Sequence, residues 1–177
     1  NHAAVMIGAG FSKNADKLSS TDKWFKNWNE LSDMFYETVY GNDGPGKEYN
    51  SSLRLAQEVE ITVGRPKLEN ILKEAIPDED YGPSEVYTKL MELPWRDVFT
   101  TNYDTLLETL FPNFDTYVGQ EELLFSDITG IGEIYKIHGS VTDAKTLVLT
   151  SYDYEVFERK ASYLIAKLLT IFLEYPI

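Results

Sequence analysis

The sequence predicts an α/β protein built on an open parallel sheet, with a helical insertion after the first strand. Three observations predict it: the apolar run AAVMI at residues 3–7, which ends in Gly8; a region at about 18–93 with apolar residues at helical spacing; and alternating strands and helices from Trp95 onward. A short apolar run bounded by glycine is typical of a strand buried on both faces of a parallel sheet. The order strand, helical block, strand, helix, strand, helix is that of an open α/β sheet.

The inserted region predicts three helices, each marked by one apolar stripe. The first stripe is Trp24, Trp28, Leu31, Phe35 and Val39. The second follows Pro66, which suits a first helical turn, and consists of Leu68, Ile71, Leu72, Ala75 and Ile76. The third follows Pro83 and consists of Val86, Leu90 and Leu93. Between the first two, residues 40–46 contain three glycines and a proline and predict a turn.

The second half of the chain predicts the remaining strands at 95–100, 116–118, 133–138 and 147–149. Helices are expected over 106–111, which carries Leu106, Leu107, Leu110 and Phe111, and over about 152–174. The sheet is therefore Rossmann-like, and residues 1–177 are expected to form one domain. Both ends look cut, so we expect an excerpt of a longer protein.

Composition excludes several classes of function. The 177 residues include 16 Lys plus Arg and 29 Asp plus Glu, a net charge of −13, which argues against nucleic acid or an anionic membrane as a direct partner. The absence of cysteine excludes disulfides, thiolate nucleophiles and zinc sites built on CxxC pairs, and it fits a cytoplasmic location. The most apolar run, 163–173, is 11 residues long and contains Lys167, which is too short for a bilayer span.

A glycine-rich cluster, GAGFS at residues 8–12, directly follows the first strand. Its glycines permit a tight turn and the close approach of a ligand, and the N-terminus of the following helix offers free N–H groups to a phosphate. In so acidic a protein a dinucleotide is held by local backbone dipoles, because the overall field repels it. The dehydrogenase fingerprint GxGxxG is absent, since Lys13 stands at the third glycine. A plain tight turn is the alternative.

Two polar clusters follow later strands. In TTNYD at 100–104, either Thr101 or Asn102 caps the next helix and Asp104 complements its dipole, or Asn102 orients a water or a sugar hydroxyl. In the third cluster, His138 is either a structural residue or a catalyst at the end of a central strand, where Gly139 opens space. Ligands of open α/β sheets lie beyond the carboxyl ends of the strands, so one cleft shared by all three clusters is expected.

In this order, GAGFS, TTNYD and KIHGS (136–140) resemble the GAG(x)S, T(Q/T)NxD and HG(S/T/A) motifs of the sirtuin superfamily. The spacing and the stretch LVLTSYDYEVF (147–157) are most similar to the SIR2-like NADase domains of bacterial anti-phage defence proteins. The sequence departs from deacetylating sirtuins in two places. It lacks their four-cysteine zinc module, which helps to build the acyl-lysine channel, and KNAD (13–16) replaces the GIPxFR continuation of the phosphate loop.

The resemblance implies hydrolysis of NAD between nicotinamide and ribose, with NAD as a substrate, no recycled cofactor and no zinc. It assigns Asn102 to orienting the water or the ribose hydroxyls, and His138 to the general base, whose unperturbed pKa of about 6.5 suits proton transfer. Asp104 stabilises charge or positions the Asn102 loop. The residues implied to contact NAD are Gly8, Ala9, Gly10, Phe11, Ser12, Thr101 and Ser140.

Two other functions stay open: a non-catalytic NAD- or nucleotide-binding module that mediates assembly, and an NAD-dependent protein deacylase. An unrestrained NADase would kill its host, so depletion of NAD in anti-phage defence by abortive infection requires a gate. The gate is expected to be a homo-oligomer, a regulatory partner or a missing C-terminal sensor domain. The helical block at about 18–93, with Trp24, Trp28 and Trp95 in or beside it, is the expected site of self-association; packing in the core is the alternative for these aromatic residues.

Overall fold

A four-stranded parallel sheet forms the centre of the molecule in a computed structural model that describes residues 3–41, 51–125 and 130–174. Its spatial order is β1-β4-β6-β5, where the strands are β1 (Ala3–Ile7), β4 (Trp95–Thr100), β5 (Asp115–Val118) and β6 (Glu133–Lys136). Two short strands, β2 (Asp16–Lys17) and β3 (Tyr81–Gly82), form a separate antiparallel pair. Most of the turn expected at 40–46 lies outside the described residues.

The register of the sheet aligns the carboxyl ends of its strands. Ile7 pairs with Thr100, and Lys136 pairs with both Thr100 and Val118. The segments that leave β1, β4 and β6 therefore begin at the same level of one sheet edge. This alignment places the three polar clusters next to one another.

Among the described residues, four α-helices lie between β1 and β4: α1 (Trp28–Tyr40), α2 (Ser52–Val63), α3 (Arg65–Ala75) and α4 (Glu85–Met91). The first three share a core that includes Phe35, Tyr36, Leu68 and Leu72. Pro66 lies in the first turn of α3, as predicted.

Two predictions about this insertion are wrong. Trp24 precedes α1 and is half-exposed, because a capping box between Asn27 and Glu30 starts the helix at Trp28. In α4, Val86 is exposed and Tyr87 is the buried residue. Of the predicted stripe only Leu90 packs against the core, since Leu93 lies beyond the helix and is exposed. The sequence interpretation also missed α2 as a separate helix.

The C-terminal half contributes α5 (Leu106–Leu110), α6 (Gly119–Phe125), α7 (Ser151–Lys160) and α8 (Ser162–Glu174). The strand predicted at 147–149 is wrong: the segment is extended but pairs with no strand of the sheet, and its Val148 N–H donates to the His138 carbonyl oxygen at 3.0 Å. The strand predicted over 133–138 ends at Lys136. Gly139, at φ +91°, turns the chain away from the sheet.

Both faces of the sheet are covered, because successive strand residues point to opposite sides. Val98 and Ile134 pack with Leu106 and Leu107 on one face, and Phe99 and Tyr135 pack against α8 on the other. The predicted fold class, an α/β Rossmann-like parallel sheet with a helical insertion after the first strand, is confirmed. In the described part of the chain, no helix combines the length and apolar character needed to cross a membrane.

Candidate functional site

A cleft of about 340 Å³ opens at the carboxyl edge of the sheet. Residues of all three sequence clusters line it, together with residues of the helical insertion and of α7. From the clusters come Ala9, Gly10, Ser12, Thr101, Asn102, Asp104 and His138; from the other elements come Lys26, Asn27, Trp28, Leu31, Leu72, Ala75, Ile76 and Tyr154. The volume lies in the lower part of the range of small-molecule sites.

Three of the residues implied to contact NAD do not line this cleft. Gly8 is exposed beside it and accepts a hydrogen bond from Asn102, Phe11 packs against Tyr87 with ring centroids 4.6 Å apart, and Ser140 is buried. The Ser140 hydroxyl lies 2.9 Å from that of Thr142, within the turn that follows His138. The structure therefore gives Phe11 and Ser140 packing and turn-forming contacts.

The backbone of the GAGFS loop does not require glycine for its conformation, but its glycines leave space beside the loop unoccupied. Gly10 has ordinary helical dihedral angles, φ −62° and ψ −25°, and a short 3-10 helix over Phe11–Asn14 follows in place of the expected α-helix. A methyl group added at Gly8 or Gly10 would meet no atom within 4 Å. The surface of the loop is therefore open to a ligand that approaches the backbone closely.

Asn102 is buried and has one unsatisfied oxygen. Its Nδ2 group donates to the Gly8 carbonyl oxygen at 3.3 Å and to Ser12 Oγ at 3.0 Å. Because a carbonyl oxygen only accepts, the amide nitrogen must face Gly8, and this fixes the orientation of the carboxamide. Asn102 Oδ1 is then left buried without a hydrogen-bond partner among the described residues. Buried polar atoms are nearly always paired, so this oxygen is suited to accept a hydrogen bond from a ligand or a water.

Asp104 is linked to Asn102 through the hydroxyl of Ser12. Its Oδ2 accepts the Ser12 hydroxyl at 2.7 Å, and its Oδ1 accepts the Leu106 N–H at 3.3 Å. Burial raises the pKa of the Asp104 carboxyl, while the bond from Ser12 and the charge of Lys136 oppose that shift. The interpretation in which Thr101 or Asn102 caps the next helix is wrong, because α5 begins at Leu106 and Thr105 is its N-cap residue. The Asn102 side chain bonds across to the first loop instead.

His138 reaches the cleft from the turn after β6. Its Nδ1 lies 3.2 Å from the hydroxyl of Tyr154, and its ring packs edge-on against Phe157. Burial lowers the pKa of His138, so the imidazole is neutral at neutral pH. Gly139 makes this turn possible: a Cβ there would lie 2.4 Å from the Thr146 carbonyl oxygen.

Several lining residues escaped the sequence interpretation. Tyr154 lies within the stretch 147–157 that carried part of the resemblance, but no pattern connected it to His138. Lys13 and Lys26 also line the cleft, and Lys26 Nζ lies 3.1 Å from the centroid of the Trp24 ring. In the described ranges no group of three or more His, Asp or Glu side chains is placed to hold a metal ion.

Comparison with known proteins supports the motif-based resemblance. Residues 96–177 match the family model described as SIR2-like domain. The chain is 28% identical over 164 residues to the NAD(+) hydrolase ThsA of Enterococcus faecium, covering 89% of this chain and 32% of that protein. It is 27% identical over 157 residues to the Defense-associated sirtuin 2 of Bacillus subtilis, covering 84% of this chain and 14% of that protein. The chain thus spans a third or less of the length of these relatives.

Proposed function

From the confirmed resemblance to SIR2-like domains of bacterial defence proteins, we propose that this protein hydrolyses NAD at the bond between nicotinamide and ribose. One observation carries the proposal: a single cleft is lined both by Asn102, whose buried Oδ1 lacks a partner among the described residues, and by the neutral imidazole of His138. A relative that is itself named an NAD(+) hydrolase gives the substrate.

The reaction needs a positioned water more than a strong acid. The C1′–N bond breaks and its electron pair leaves with nicotinamide, which departs as a neutral molecule. The ribose then carries oxocarbenium character, and the oxygen of a water forms the new bond to C1′. The products are nicotinamide, ADP-ribose and the proton released by the water.

Asn102 and His138 divide the handling of that water and of the ribose hydroxyls. Asn102 Oδ1 accepts a hydrogen bond from one of them and so fixes its direction. His138 takes the proton at Nε2 when its Nδ1–H donates to the Tyr154 hydroxyl, because that tautomer leaves the lone pair on Nε2. Asp104 acts indirectly, by holding Ser12 and through it Asn102.

The open surface of the GAGFS loop receives the pyrophosphate. Gly8, Ala9 and Gly10 are exposed, and neither Gly8 nor Gly10 has a neighbour where a side chain would be. Ser12 and Thr101 border the same space. Lys13 and Lys26 add local positive charge to a protein whose net charge is −13.

The test is the fate of NAD, measured by mass spectrometry, after incubation with the complete protein, alone and with the products of neighbouring genes. We expect stoichiometric nicotinamide and ADP-ribose, and a loss of about 10²-fold or more in Asn102→Ala. The exposed Asn113→Ala is the matched control and should keep full activity.

Two outcomes of this test favour the other functions. Release of nicotinamide that depends on added acyl-lysine peptide would identify a deacylase. Saturable NAD binding with unchanged NAD under every condition would identify a non-catalytic binding module. Either outcome contradicts the proposed hydrolase.

We further propose that the activity is gated by assembly and serves defence by depleting NAD in the cytoplasm of an infected cell. The Defense-associated sirtuin 2 relationship supports the defence role, and the exposed Trp24 and Trp28 of the insertion offer apolar surface for self-association. Sedimentation of the complete protein should show at least a dimer. A strict monomer in both the resting and the triggered state would contradict gating by self-assembly and leave a partner or a further domain as the gate.

A further inference from the structure

Lys136, the last residue of β6, is a fully buried cation to which the proposed chemistry gives no role. Its Nζ donates to the carbonyl oxygen of Asp104 and, at 2.6 Å, to Glu108 Oε1. A buried ammonium group costs several kcal/mol unless its donors are paired, so both contacts are needed to keep it in the interior. The residues that pair with it in the sheet, Thr100 and Val118, have smaller side chains without charge, so a lysine at this position needs an explanation.

A continuous series of hydrogen bonds leads from Lys136 to the cleft. Lys136 holds the backbone of Asp104, the carboxylate of Asp104 accepts the Ser12 hydroxyl at 2.7 Å, and Ser12 Oγ accepts from Asn102 Nδ2 at 3.0 Å. The series joins the segments that follow β1 and β4 to the end of β6. It ends at the carboxamide whose Oδ1 has no partner among the described residues.

Other contacts hold the turn at Tyr103, directly before Asp104: its carbonyl oxygen accepts the Val141 N–H at 2.9 Å, and its hydroxyl donates to the Val148 carbonyl oxygen at 2.8 Å. The helix that follows, α5, is five residues long, and its N-cap residue Thr105 makes no side-chain capping bond. Asp78 holds the N–H and hydroxyl of Thr105 from the insertion side, at 2.9 and 2.6 Å. Lys136 is the anchor on the sheet side, and it acts on the residue that holds Ser12.

We infer that Lys136 is a positioning residue for NAD hydrolysis, which fixes the Asn102 carboxamide through Asp104 and Ser12. The expected effect on kcat rests on the proposed function, but the expected effect on the position of the Asn102 side chain does not. The GAGFS loop is closed by its own bond from Phe11 N–H to the Gly8 carbonyl oxygen at 2.9 Å, so NAD binding depends less on this series than turnover does.

The rival explanation is that Lys136 and Glu108 form an ion pair that only stabilises the fold. Three variants separate the two roles. Glu108→Gln removes the carboxylate but leaves an oxygen acceptor for Lys136, and thus the anchor on Asp104. Lys136→Met removes the anchor and strands the Glu108 carboxylate. The double variant Lys136→Met/Glu108→Gln removes the anchor without leaving an unpaired buried charge.

The complete protein is used for two measurements on each variant. The first is steady-state nicotinamide release, with kcat per folded molecule and KM for NAD. The second is the side-chain amide resonance of Asn102 in protein labelled with ¹⁵N-asparagine, assigned by its loss in Asn102→Ala. The resonance requires no turnover, so it tests the positioning role even if the protein does not hydrolyse NAD.

In the double variant we expect kcat to fall about 10-fold or more relative to Glu108→Gln, with KM within about threefold, and the Asn102 resonance to move. Its melting temperature should return to within about 3 °C of that of Glu108→Gln. An unmoved Asn102 resonance overturns the inference, and so does a kcat equal to that of Glu108→Gln. Wild-type protein that leaves NAD intact overturns the proposed function alone, and the resonance then decides the positioning role by itself.

Discussion

The hydroxyl of Tyr154 lies 3.2 Å from Nδ1 of His138, so α7 takes part in setting which ring nitrogen of the neutral imidazole carries the proton. The start of α7 is itself tied to the insertion, because Arg65 donates to Asp153 Oδ2 at 2.7 Å and to the Leu147 carbonyl oxygen at 2.7 Å. An insertion that is remote in sequence from the histidine motif thereby helps to hold the residue that orients it.

His138→Ala should reduce NAD hydrolysis by about 10²-fold or more if His138 is the general base. Because the side chain is half-buried at the rim of a cleft, its removal should lower the melting temperature little, and NAD should still bind. Melting temperature and single-turnover nicotinamide release are measured on the same variant. A lowered melting temperature with near-normal turnover per folded molecule would identify His138 as a structural residue.

The pH dependence of kcat/KM should show an acid limb below the ordinary imidazole pKa of about 6.5. Burial lowers the pKa of His138, so the neutral, proton-accepting form persists to lower pH than in a solvated histidine. Rates are measured from about pH 4.5 to 8.5, and the residual activity of His138→Ala should lack this limb. A limb above about 6.5 would contradict the burial argument.

Gly10→Ala should weaken NAD binding without lowering stability, whereas Gly139→Ala should lower stability. An added methyl group at Gly10 meets no protein atom, so the melting temperature should hold while the KM for NAD rises as the methyl group occupies ligand space. At Gly139, where φ is positive, the methyl group would lie 2.4 Å from the Thr146 carbonyl oxygen. The free energy of unfolding should therefore fall by about 1–3 kcal/mol. Thermal melts and NAD titrations measure both variants. Unchanged NAD binding in Gly10→Ala would show that the loop is only a turn.

Asp97→Asn should stabilise the protein at neutral pH. Asp97 is 2% exposed, and burial, reinforced by the charge of Glu133, raises the pKa of its carboxyl to about 6. Between the unfolded pKa of about 4 and the folded value, only the unfolded chain has lost the proton, so stability falls as the pH rises through this window. Asparagine avoids that loss and still offers a donor to Glu133.

The expected gain for Asp97→Asn is about 1–3 kcal/mol at about pH 7.5, and it should shrink towards zero near pH 4. Urea unfolding at the two pH values measures it, with the exposed Asp22→Asn as the control. An equal gain at both pH values would mean that packing, and not ionisation of Asp97, accounts for the difference in stability between the two proteins.

The strands that carry the site could be predicted because their local signals are strong. Residues 3–7 are a short apolar run, and residues 95–100 contain the adjacent apolar residues Val98 and Phe99. Each segment is followed by turn-forming or polar residues, and their carboxyl ends meet as the rule for parallel sheets requires. The convergence of the clusters follows from that alignment. The start of α1 could also have been predicted, because the Asn27 and Glu30 capping box marks its first turn. The apolar stripe that begins at Trp24 instead predicted a helix that starts too early.

Other features depend on contacts that no local pattern encodes. Leu147 and Leu149 alternate as in a strand, but they fill the core of the insertion while Val148 bonds to His138 and to the Tyr103 hydroxyl. The buried residues of α2, Leu55, Ala56 and Val59, have helical spacing, but the exposed Ile61 and Val63 extend the apolar pattern beyond the buried face and obscure it. The role of Lys136 depends on a carbonyl group 32 positions away in the sequence.

The hydrogen bond that Ser12 donates to Asp104 and the one that it accepts from Asn102 join positions 92 and 90 residues apart along the chain. Closing a loop of that size carries an entropic cost that is recovered only when the intervening helices have packed and β4 has docked beside β1. A nascent chain that has reached only Leu93 holds the glycine loop but neither Asn102 nor His138. Every nascent chain that ends before residue 138 therefore lacks part of the constellation, and the cleft forms only after β4 and β6 have joined the sheet beside β1.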